Sequence, residues 1–328
     1  MRSWSPQQGT GSDLGRSAWH IVIVLFLASS SRANPVEAPH HFEGDAPNQH
    51  PSPDAALSAA GSDLGIIPAS IISTAKSVTP MTLDERMQRI SKQFVGKSYQ
   101  VDPLGEAAHP DLDPLARYDA FDCLTFVEEV LSIALAGDAS HSATLRLQMR
   151  YRSETPQYSF RNHFMELQWI PNNIEKGILK DTTALYGDTV PRTRQITMDT
   201  WNRWHKTKSF KVPKAHLPTG TMSLDVLPLQ AAIEAAPKIK PGSLLLVVRK
   251  DLPHKPLWIS HVGLVFQLDK PILRHATRMG GGGVKDNRLL WYLNHLKTYK
   301  NWPAAGVVIL EPQDFGPRLS RLEAPTLP

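Results

Sequence analysis

The apolar residues of this chain follow a helical spacing first and a strand spacing later, and this order limits the folds that it can adopt. Apolar residues recur every three or four positions in three early segments, 82–95, 123–136 and 142–151. Runs rich in β-branched and other apolar residues then occur at 244–249, 260–268, 272–277 and 305–310. Helices followed by strands indicate an α+β fold, with N-terminal helices packed on a mostly antiparallel sheet, rather than alternating α/β units.

Two of the predicted helices carry clear end signals. Thr82 and Glu85 have the spacing of a capping box, which predicts a helix start at this point. Asp122 is a good N-cap for the helix that begins at Cys123, and Gly137 is a good C-terminal stop. The cysteine is therefore predicted to lie in the first turn of its helix.

The N-terminal segment resembles an export signal. An apolar run at 21–28 follows Arg2 and Arg16 and precedes the small residues of Ser31-Arg32-Ala33. The run is shorter than the roughly 20 apolar residues that span a bilayer. We interpret 1–33 as a signal peptide, expect export to the periplasm, and expect no stable membrane insertion after cleavage. An uncleaved anchor and a misassigned start codon are the alternatives.

The remaining chain divides by composition. Residues 34–80 are rich in Pro, Ser and Ala and are predicted to form a linker. Residues 81–316 are predicted to form one catalytic domain, with a proline-interrupted insertion near 205–241 and a tail at 317–328.

The composition excludes a disordered chain and gives no indication of a nucleic-acid partner. Apolar residues make up 41% and charged residues 20% of the 328 residues, as expected for a folded core. The formal net charge is +5, but the basic residues form no block of the kind that binds nucleic acid. The run Gly280–Gly283 lacks the Lys-Ser/Thr of a phosphate loop, so we predict a flexible loop and no cofactor. We predict no metal, and the oligomeric state stays open.

The chain contains a single cysteine, Cys123, which cannot form an internal disulfide. At a helix start, free backbone N–H groups and the helix dipole favour a thiolate, so a depressed pKa and chemical reactivity are expected. The alternative is a small apolar residue packed beside Leu124 and Val127.

A reactive thiol needs a base and a group that orients the base. His261 begins one predicted strand and His275 lies in the next, so the two strands are expected to pair as a hairpin. An odd-length connection, such as a loop at 267–269, places both histidines on one face, whereas a two-residue loop separates them. Gly263 shares the face of His261 and leaves room for another group to approach.

Several motifs resemble those of NlpC-type, papain-like cell-wall hydrolases. The segment 118–128, which contains Asp122-Cys123, is similar to the helix start that carries their nucleophile. His261-Val262-Gly263-Leu264 is similar to their base-bearing strand, and His275-Ala276 to the strand with their third residue. Gly96-Lys97-Ser98-Tyr99 resembles the segment whose Tyr assists the oxyanion.

The chain is more closely similar to the N-acetylmuramoyl-L-alanine amidase-like branch of these enzymes. The motifs that carry this likeness are Arg150-Tyr151-Arg152 and Arg161-Asn162-His163-Phe164 with Trp169, Asn172 and Asn173. The likeness covers about residues 82–312 in the same order. Departures from the family pattern are Gly242-Ser243 in place of Gly-Asp and Thr277-Arg278 in place of Ser-Ser.

The resemblance implies a papain-like fold and a Cys-His-His mechanism. Cys123 is expected to be the nucleophile, His261 the base and His275 the residue that orients His261. The backbone N–H of Cys123 and the hydroxyl of Tyr99 are expected to stabilise an oxyanion. The implied reaction forms a thioester and cleaves the bond between muramic acid and L-Ala; cleavage between D-Glu and a diamino acid is the alternative.

The expected partners are therefore peptidoglycan or muropeptide fragments. Arg152, Arg161 and His163 are predicted to hold substrate carboxylates or sugar oxygens, and Trp169 is assigned to the same substrate-binding set. Ordinary ion pairing within the fold is the alternative for these charged residues.

Two other functions remain open from the sequence. His163-x-x-Glu166 has the helical spacing of some zinc peptidase ligands, which a distant histidine would complete. A non-catalytic module that binds cell wall is the second rival.

Overall fold

The computed structural model describes residues 67–137, 139–153 and 155–314, without the side chains of residues 139 and 140. The predicted signal peptide, the predicted linker up to residue 66 and the predicted tail lie outside these ranges. Within the described ranges, no helix is both long and apolar enough to cross a membrane.

The α-helices occupy both halves of the described chain. Their bounds are α1 Ala69–Val78, α2 Leu83–Lys92, α3 Cys123–Ala136, α4 Ala139–Arg150, α5 Ile170–Glu175, α6 Met198–Arg203, α7 Leu229–Ala235 and α8 Leu289–Leu296. A π-helical turn, Met165–Trp169, leads into α5. Single 3₁₀ turns lie at Tyr158–Phe160, Thr183–Tyr186, Thr207–Phe210, Lys214–His216, Ala236–Lys238 and Met279–Gly281.

The strands form one large sheet and one small one. Their bounds are β1 Ser98–Tyr99, β2 Ala120–Phe121, β3 Leu179–Asp181, β4 Val190–Ile196, β5 Gly220–Pro228, β6 Leu244–Arg249, β7 Ile259–Gln267, β8 Pro271–Thr277, β9 Gly283–Arg288 and β10 Ala304–Pro312. The large sheet has the order β4-β5-β10-β6-β7-β8-β9, with β3 paired to β10, and its pairs are antiparallel. Strands β1 and β2 form a separate parallel pair. The predicted α+β class with an antiparallel sheet is confirmed.

The end signals identified in the sequence set the starts of α2 and α3. The backbone N–H of Thr82 donates to the carboxylate of Glu85 at 3.0 Å, as a capping box requires. Asp122 accepts from the N–H groups of Leu124 and Thr125 at 3.0 and 2.8 Å. Helix α3 ends before Gly137, whose φ of 69° lies in the left-handed region that glycine tolerates.

The large sheet separates two apolar layers. Because side chains alternate along a strand, Val262 and Leu264 of β7 join the layer that contains helix α3, whereas Val265 joins the opposite layer. Leu289 and Leu293 of α8 belong to that opposite layer. Helix α3 and helix α8 therefore cover opposite faces of the same hairpin.

Two predicted domain features differ in the structure. Helix α1 lies within the segment predicted to be a linker up to residue 80, and its Ile71, Ala75 and Val78 are buried. The helix has only 10 residues and lies between Pro68 and Pro80, so the sequence pattern did not reveal it. The segment 205–241, predicted to be an insertion, contains β5, which pairs with β4 and β10 in the large sheet.

Buried ion pairs join α3 to α4. Arg146 contacts the Glu129 carboxylate through two nitrogens, at 2.6 and 2.8 Å, and both side chains are almost fully buried. Arg150 donates to Glu128 at 2.9 Å, and Trp169 donates its indole N–H to the other oxygen of Glu128 at 2.9 Å. A buried charge is tolerated only when it is paired in this way. Glu128 and Glu129 therefore hold one side of α3 against α4.

We predict that Arg146→Leu lowers the free energy of unfolding by about 3–5 kcal/mol, because it leaves the buried Glu129 carboxylate without its partner. Urea unfolding followed by circular dichroism measures the change. The matched control is Arg203→Leu, which removes an exposed pair with Asp199 and should cost less than about 1 kcal/mol. Equal losses in the two variants would contradict this account.

Candidate functional site

The β7–β8 hairpin brings the two predicted histidines to one face of the sheet. Its register pairs Leu264 with Arg274 and Gln267 with Pro271, so three residues, 268–270, connect the strands. This odd-length connection was one of the alternatives open from the sequence. Continuing the register places Gly263, rather than His261, directly opposite His275, so the histidines are diagonal neighbours.

Gly263 makes this arrangement possible. A Cβ atom at this position would lie 2.9 Å from the Cβ of His275 and 2.9 Å from Cδ1 of Leu273. Neither distance is acceptable between carbon atoms, because packed protein interiors leave no such overlap. The predicted space beside His261 is therefore occupied by His275.

The two histidines form a hydrogen-bonded relay. Nε2 of His261 lies 2.6 Å from Nδ1 of His275, and Nε2 of His275 lies 2.8 Å from Oδ1 of Asn287 on β9. The ring of Tyr292 on α8 lies against both, with its centroid 6.1 Å from that of His261 and 5.2 Å from that of His275. Nδ1 of His261 is the ring nitrogen of the pair that takes part in neither of these hydrogen bonds.

Both imidazoles are held in the neutral form. Burial, followed by the nearby His275 and Arg249, lowers the pKa of His261 well below its ordinary value of 6.5. Burial also lowers the pKa of His275 to about 4, against a smaller opposing effect of Asn287. At neutral pH both rings therefore lack a positive charge and one nitrogen of each can accept a proton.

The sulfur of Cys123 lies where the start of α3 meets strand β7. Cys123 is 2% exposed, and its sulfur is met by the backbone N–H groups of Cys123, Leu124 and Val262. Val262 is the residue after His261. Within the described part of the chain, no hydrogen bond joins the sulfur to either histidine; the strand backbone makes the contact instead.

The expected depressed pKa of the thiol is wrong for this resting structure. Burial is the largest influence and, together with the charge of Asp122, raises the pKa of Cys123 to about 12. The three N–H groups lower the pKa but do not compensate. Asp122 caps the helix as predicted, yet its carboxylate still disfavours a second negative charge nearby. A proton acceptor is therefore needed to ionise the thiol.

Two tyrosines lie within range of the charge on the Cys123 sulfur. The Cys123 charge contributes to the raised pKa of Tyr99 and to that of Tyr292, after the larger effect of burial. Tyr99 pairs with Phe121 in the β1–β2 ladder, two residues before Cys123 in the chain. Tyr292 also packs on both histidine rings, so one side chain lies near the sulfur and against the relay.

The glycine run supports Tyr99 rather than forming a phosphate site. The N–H of Val284 donates to the carbonyl of Lys97 at 2.8 Å. A Cβ on Gly283 would lie only 2.7 Å from that carbonyl oxygen, and φ of Gly283 is +104°. Glycine is needed for this close approach. Arg278, just before the run, hydrogen-bonds the Tyr99 side chain.

Of the residues predicted to bind substrate, two line a cleft beside the thiol. Arg161 and His163 share this cleft with Asp122 and Leu124 at the start of α3. Arg161 is buried and paired with Glu106 at 2.6 Å and Asp111 at 3.2 Å. His163 contacts the carbonyl of Tyr158 through Nε2 at 2.6 Å. Both side chains therefore already have protein partners.

The other two predicted contacts lie elsewhere. Trp169 is fully buried and donates to Glu128, so it is a core residue in this structure and its assignment to substrate binding is corrected. Its indole body fills space between helices, which explains the place of this Trp in the motif. Arg152 is exposed and donates to the carbonyl of Ser159 at 2.8 Å.

The sequence did not identify Asp102, which lines the same cleft. Its φ is +51°, and its Oδ1 is buried without a hydrogen-bond partner among the described residues. Burial and the charge of Asp111 raise its pKa to about 8. Asn287 and Tyr292 were also missed, because only the strand register and the packing of α8 bring them to the histidines.

The proposed zinc ligands do not converge. Glu166 accepts the N–H groups of Trp258 and Ile259 at 2.6 and 2.5 Å, whereas His163 is bonded to Tyr158. Glu166 thereby anchors the beginning of β7. Within the described ranges, no three His, Cys, Asp or Glu residues are arranged to hold a metal ion.

The chain belongs to the AmiA-like family, described as N-acetylmuramoyl-L-alanine amidase-like, whose family model matches residues 89–299. This range contains Cys123, His261, His275 and Asn287. No curated protein sequence matches the chain significantly.

Solved structures share this fold. A Legionella pneumophila protein of the DUF1460 family is 24% identical with a TM-score of 0.66, over 78% of this chain and 96% of that one. An N-acetylmuramoyl-L-alanine amidase from Bacteroides uniformis is 22% identical with a TM-score of 0.57, over 70% and 99%. A candidate xylanase from Bacteroides fragilis is 22% identical with a TM-score of 0.53, over 67% and 98%. At these identities the likeness establishes the fold alone.

We predict that the alkylation rate of Cys123 by iodoacetamide rises about tenfold for each pH unit between pH 6 and 9. The reason is that a pKa raised to about 12 leaves the thiolate fraction far below saturation in this range. Intact-mass spectrometry follows the reaction, and Cys123→Ser is the unlabelled control because the chain has a single cysteine. A rate that levels off below pH 8 would indicate a thiolate already formed in the resting protein.

Proposed function

We propose that this protein is a cysteine-dependent amidase that cleaves muropeptides between muramic acid and L-Ala, by the thiol mechanism of NlpC-type, papain-like enzymes. One observation carries the proposal. The single thiol contacts the backbone N–H of Val262, the residue that follows His261, and Nε2 of His261 is bonded to His275. Membership of the amidase-like family supports the substrate class.

The acid–base properties of the site favour general-base catalysis over a preformed ion pair. The thiol is protonated and the imidazole of His261 is neutral at pH 7, because burial opposes a charge on either group. In the proposed first step, the thiol proton moves to His261 while the sulfur attacks the amide carbonyl carbon. This step requires the Cys123 side chain to rotate from the N–H of Val262 toward Nδ1 of His261, whose ring lies against Tyr292 of α8.

The attack produces a tetrahedral oxyanion. In the proposal, the backbone N–H of Cys123 and the hydroxyl of Tyr99 stabilise it. The N–H belongs to the first residue of α3, and Tyr99 is near enough for the charge of Cys123 to raise its pKa. The C–N bond then breaks, the amine of L-Ala takes the proton from His261, and the acyl group remains on sulfur as a thioester. Water activated by His261 hydrolyses the thioester and restores the thiol.

In the proposal, substrate binds at the start of α3, over a small cavity with room for about one water molecule. Leu124, Asp102, Arg161 and His163 are among the residues that line this cavity. A neutral Asp102 carboxyl can both donate and accept a hydrogen bond, which suits the amide and hydroxyl groups of a muropeptide. Arg152 is exposed and is available for a carboxylate at the outer end of the substrate.

The signal peptide and the periplasmic location remain part of the proposal. Peptidoglycan lies outside the inner membrane, so an enzyme that acts on it as proposed requires export. The predicted signal at 1–33 would supply that export.

The decisive experiment is mass spectrometry of defined muropeptides incubated with the purified protein. We predict that the wild type separates sugar from peptide and that Cys123→Ala produces no cleavage. Cys123→Ser is the closer control in size and should lose nearly all activity, because a hydroxyl is a much weaker nucleophile than a thiol in this setting.

Other results of the same experiment would support the alternative functions. A peptide cut between D-Glu and the diamino acid would support the endopeptidase alternative. Inhibition by EDTA but not by iodoacetamide would support a metal enzyme, and binding without turnover would support a wall-binding module.

The lowered histidine pKa values give a second prediction. Neutral His261 is the active form, so kcat/KM is lost only when the pH falls through its lowered pKa. We therefore expect kcat/KM to stay nearly constant from pH 7, where Asp102 with its pKa of about 8 is largely neutral, to pH 6.5, the ordinary histidine value, and to decline only below pH 6.5. Initial rates at substrate concentrations below KM measure the profile, with circular dichroism as the control for unfolding. A decline that is already half complete above pH 6.5 would contradict a neutral, buried base.

A further inference from the structure

The hydrogen bonds of the histidine relay can be assigned by counting protons. Each neutral imidazole carries one N–H and one bare nitrogen, so the pair His261 and His275 has four possible tautomer combinations. The 2.6 Å contact between Nε2 of His261 and Nδ1 of His275 requires one hydrogen between these two nitrogens. Combinations with two hydrogens or none at this contact are therefore excluded.

Two combinations remain, and Asn287 distinguishes them. In the amide orientation of this structure, Oδ1 of Asn287 lies 2.8 Å from Nε2 of His275 and can only accept a hydrogen bond. The N–H of His275 must then be on Nε2, so its Nδ1 accepts the N–H of His261 Nε2. The reverse combination would place two lone pairs against each other at the Asn287 contact.

We propose that Asn287 is a positioning residue that fixes the tautomers of both histidines and thereby makes Nδ1 of His261 the proton-accepting nitrogen. The reversed tautomers would put a hydrogen on that Nδ1 and leave no base outside the relay. Asn287 acts through His275 and touches neither the thiol nor substrate. The inference rests on the proposed chemistry of Cys123 and His261, although the tautomers themselves can be observed without turnover.

The position of Asn287 depends on the pairing of β8 with β9. The register places Leu273 opposite Asn287 and His275 opposite Lys285, so Asn287 and His275 are diagonal neighbours on one face. Asn287 is half-buried, and Lys285 on the same face is bonded to the carbonyls of Met279 and Gly280 at 2.7 and 2.9 Å. A lysine ammonium has no acceptor, and that of Lys285 already donates to these two carbonyls, so Asn287 provides the acceptor for Nε2 of His275.

Two substitutions show whether position 287 requires a hydrogen-bond acceptor or only a side chain of this volume. Asn287→Asp retains an oxygen acceptor and has almost the same shape, whereas Asn287→Leu has a similar volume and no polar atom. Asn294→Leu is the matched control, because Asn294 is an exposed residue of α8 whose side-chain amide donates to the carbonyl of Leu290. Thermal unfolding of the three variants reports any general loss of stability.

The first measurement is the nitrogen NMR spectrum of the protein with ¹⁵N-labelled histidine, assigned with His261→Gln and His275→Gln. We expect the wild type and Asn287→Asp to have hydrogen on Nε2 of both rings and a bare Nδ1 on His261. Asn287→Leu should show the reversed tautomers in part. Wild-type tautomers in Asn287→Leu, or hydrogen on Nδ1 of His261 in the wild type, would overturn the inference.

The second measurement is kcat/KM with muropeptide. We expect Asn287→Leu to lose up to about tenfold in kcat/KM, the ratio that one net hydrogen bond supports. Asn287→Asp should restore kcat/KM, and Asn294→Leu should not change it. Equal losses in Asn287→Asp and Asn287→Leu would indicate a structural role and contradict the proposal. A wild type with the expected tautomers but no turnover would reject the proposed function and leave the tautomer assignment standing.

Discussion

The contact between the N-terminus of α3 and strand β7 is the constraint on which the site depends. The capped start of α3 directs its own N–H groups at the Cys123 sulfur, and the N–H of Val262 approaches from the strand. Phe126 and Val130 of α3 belong to the same buried layer as Val262 and Leu264. This packing holds the thiol beside the histidine-bearing strand, because the helix cannot move without opening the core.

Burial has opposite chemical effects on the groups of this site, and together they give a defined protonation state. It keeps the thiol protonated and both imidazoles neutral, since each charged form would lose its hydration. These three neutral groups can be enclosed without the cost of removing a charge from water. In the proposed mechanism, the proton then moves from sulfur to imidazole when substrate arrives. Such a resting state also limits reaction of the thiol with small oxidants or metals, which require the thiolate.

Much of the charge that the family motifs carry serves the scaffold. Arg150, Arg161 and Trp169 bond to Glu128, Glu106 and neighbouring carbonyl groups inside the fold. These bonds keep α3, α4 and the turn before α5 together, and the cleft runs between them. The residues of such a motif therefore fall into two groups. The buried side chains stabilise the fold, and the exposed ones are open to contact with substrate.

The sequence alone determined the local structure around the thiol and the overall class of fold. The bounds of α3, the capping box of α2 and the strand at 244–249 follow from caps and apolar spacing, which act over a few residues. The sequence also identified Cys123, His261 and His275 as candidates, because their motifs are local. Helix α1 was missed, since its short apolar stripe is stabilised by contacts with distant residues.

Only the tertiary structure decided the register of the β7–β8 hairpin, the partnership of Asn287 and Tyr292 with the histidines, and the high pKa of the thiol. Register depends on which turn closes a hairpin and on which face is buried, and a shift of one residue would send the two histidines to opposite faces. The pKa depends on how completely neighbouring elements exclude water from the sulfur. Both properties arise from contacts between segments far apart in the chain, which no local pattern of residues encodes.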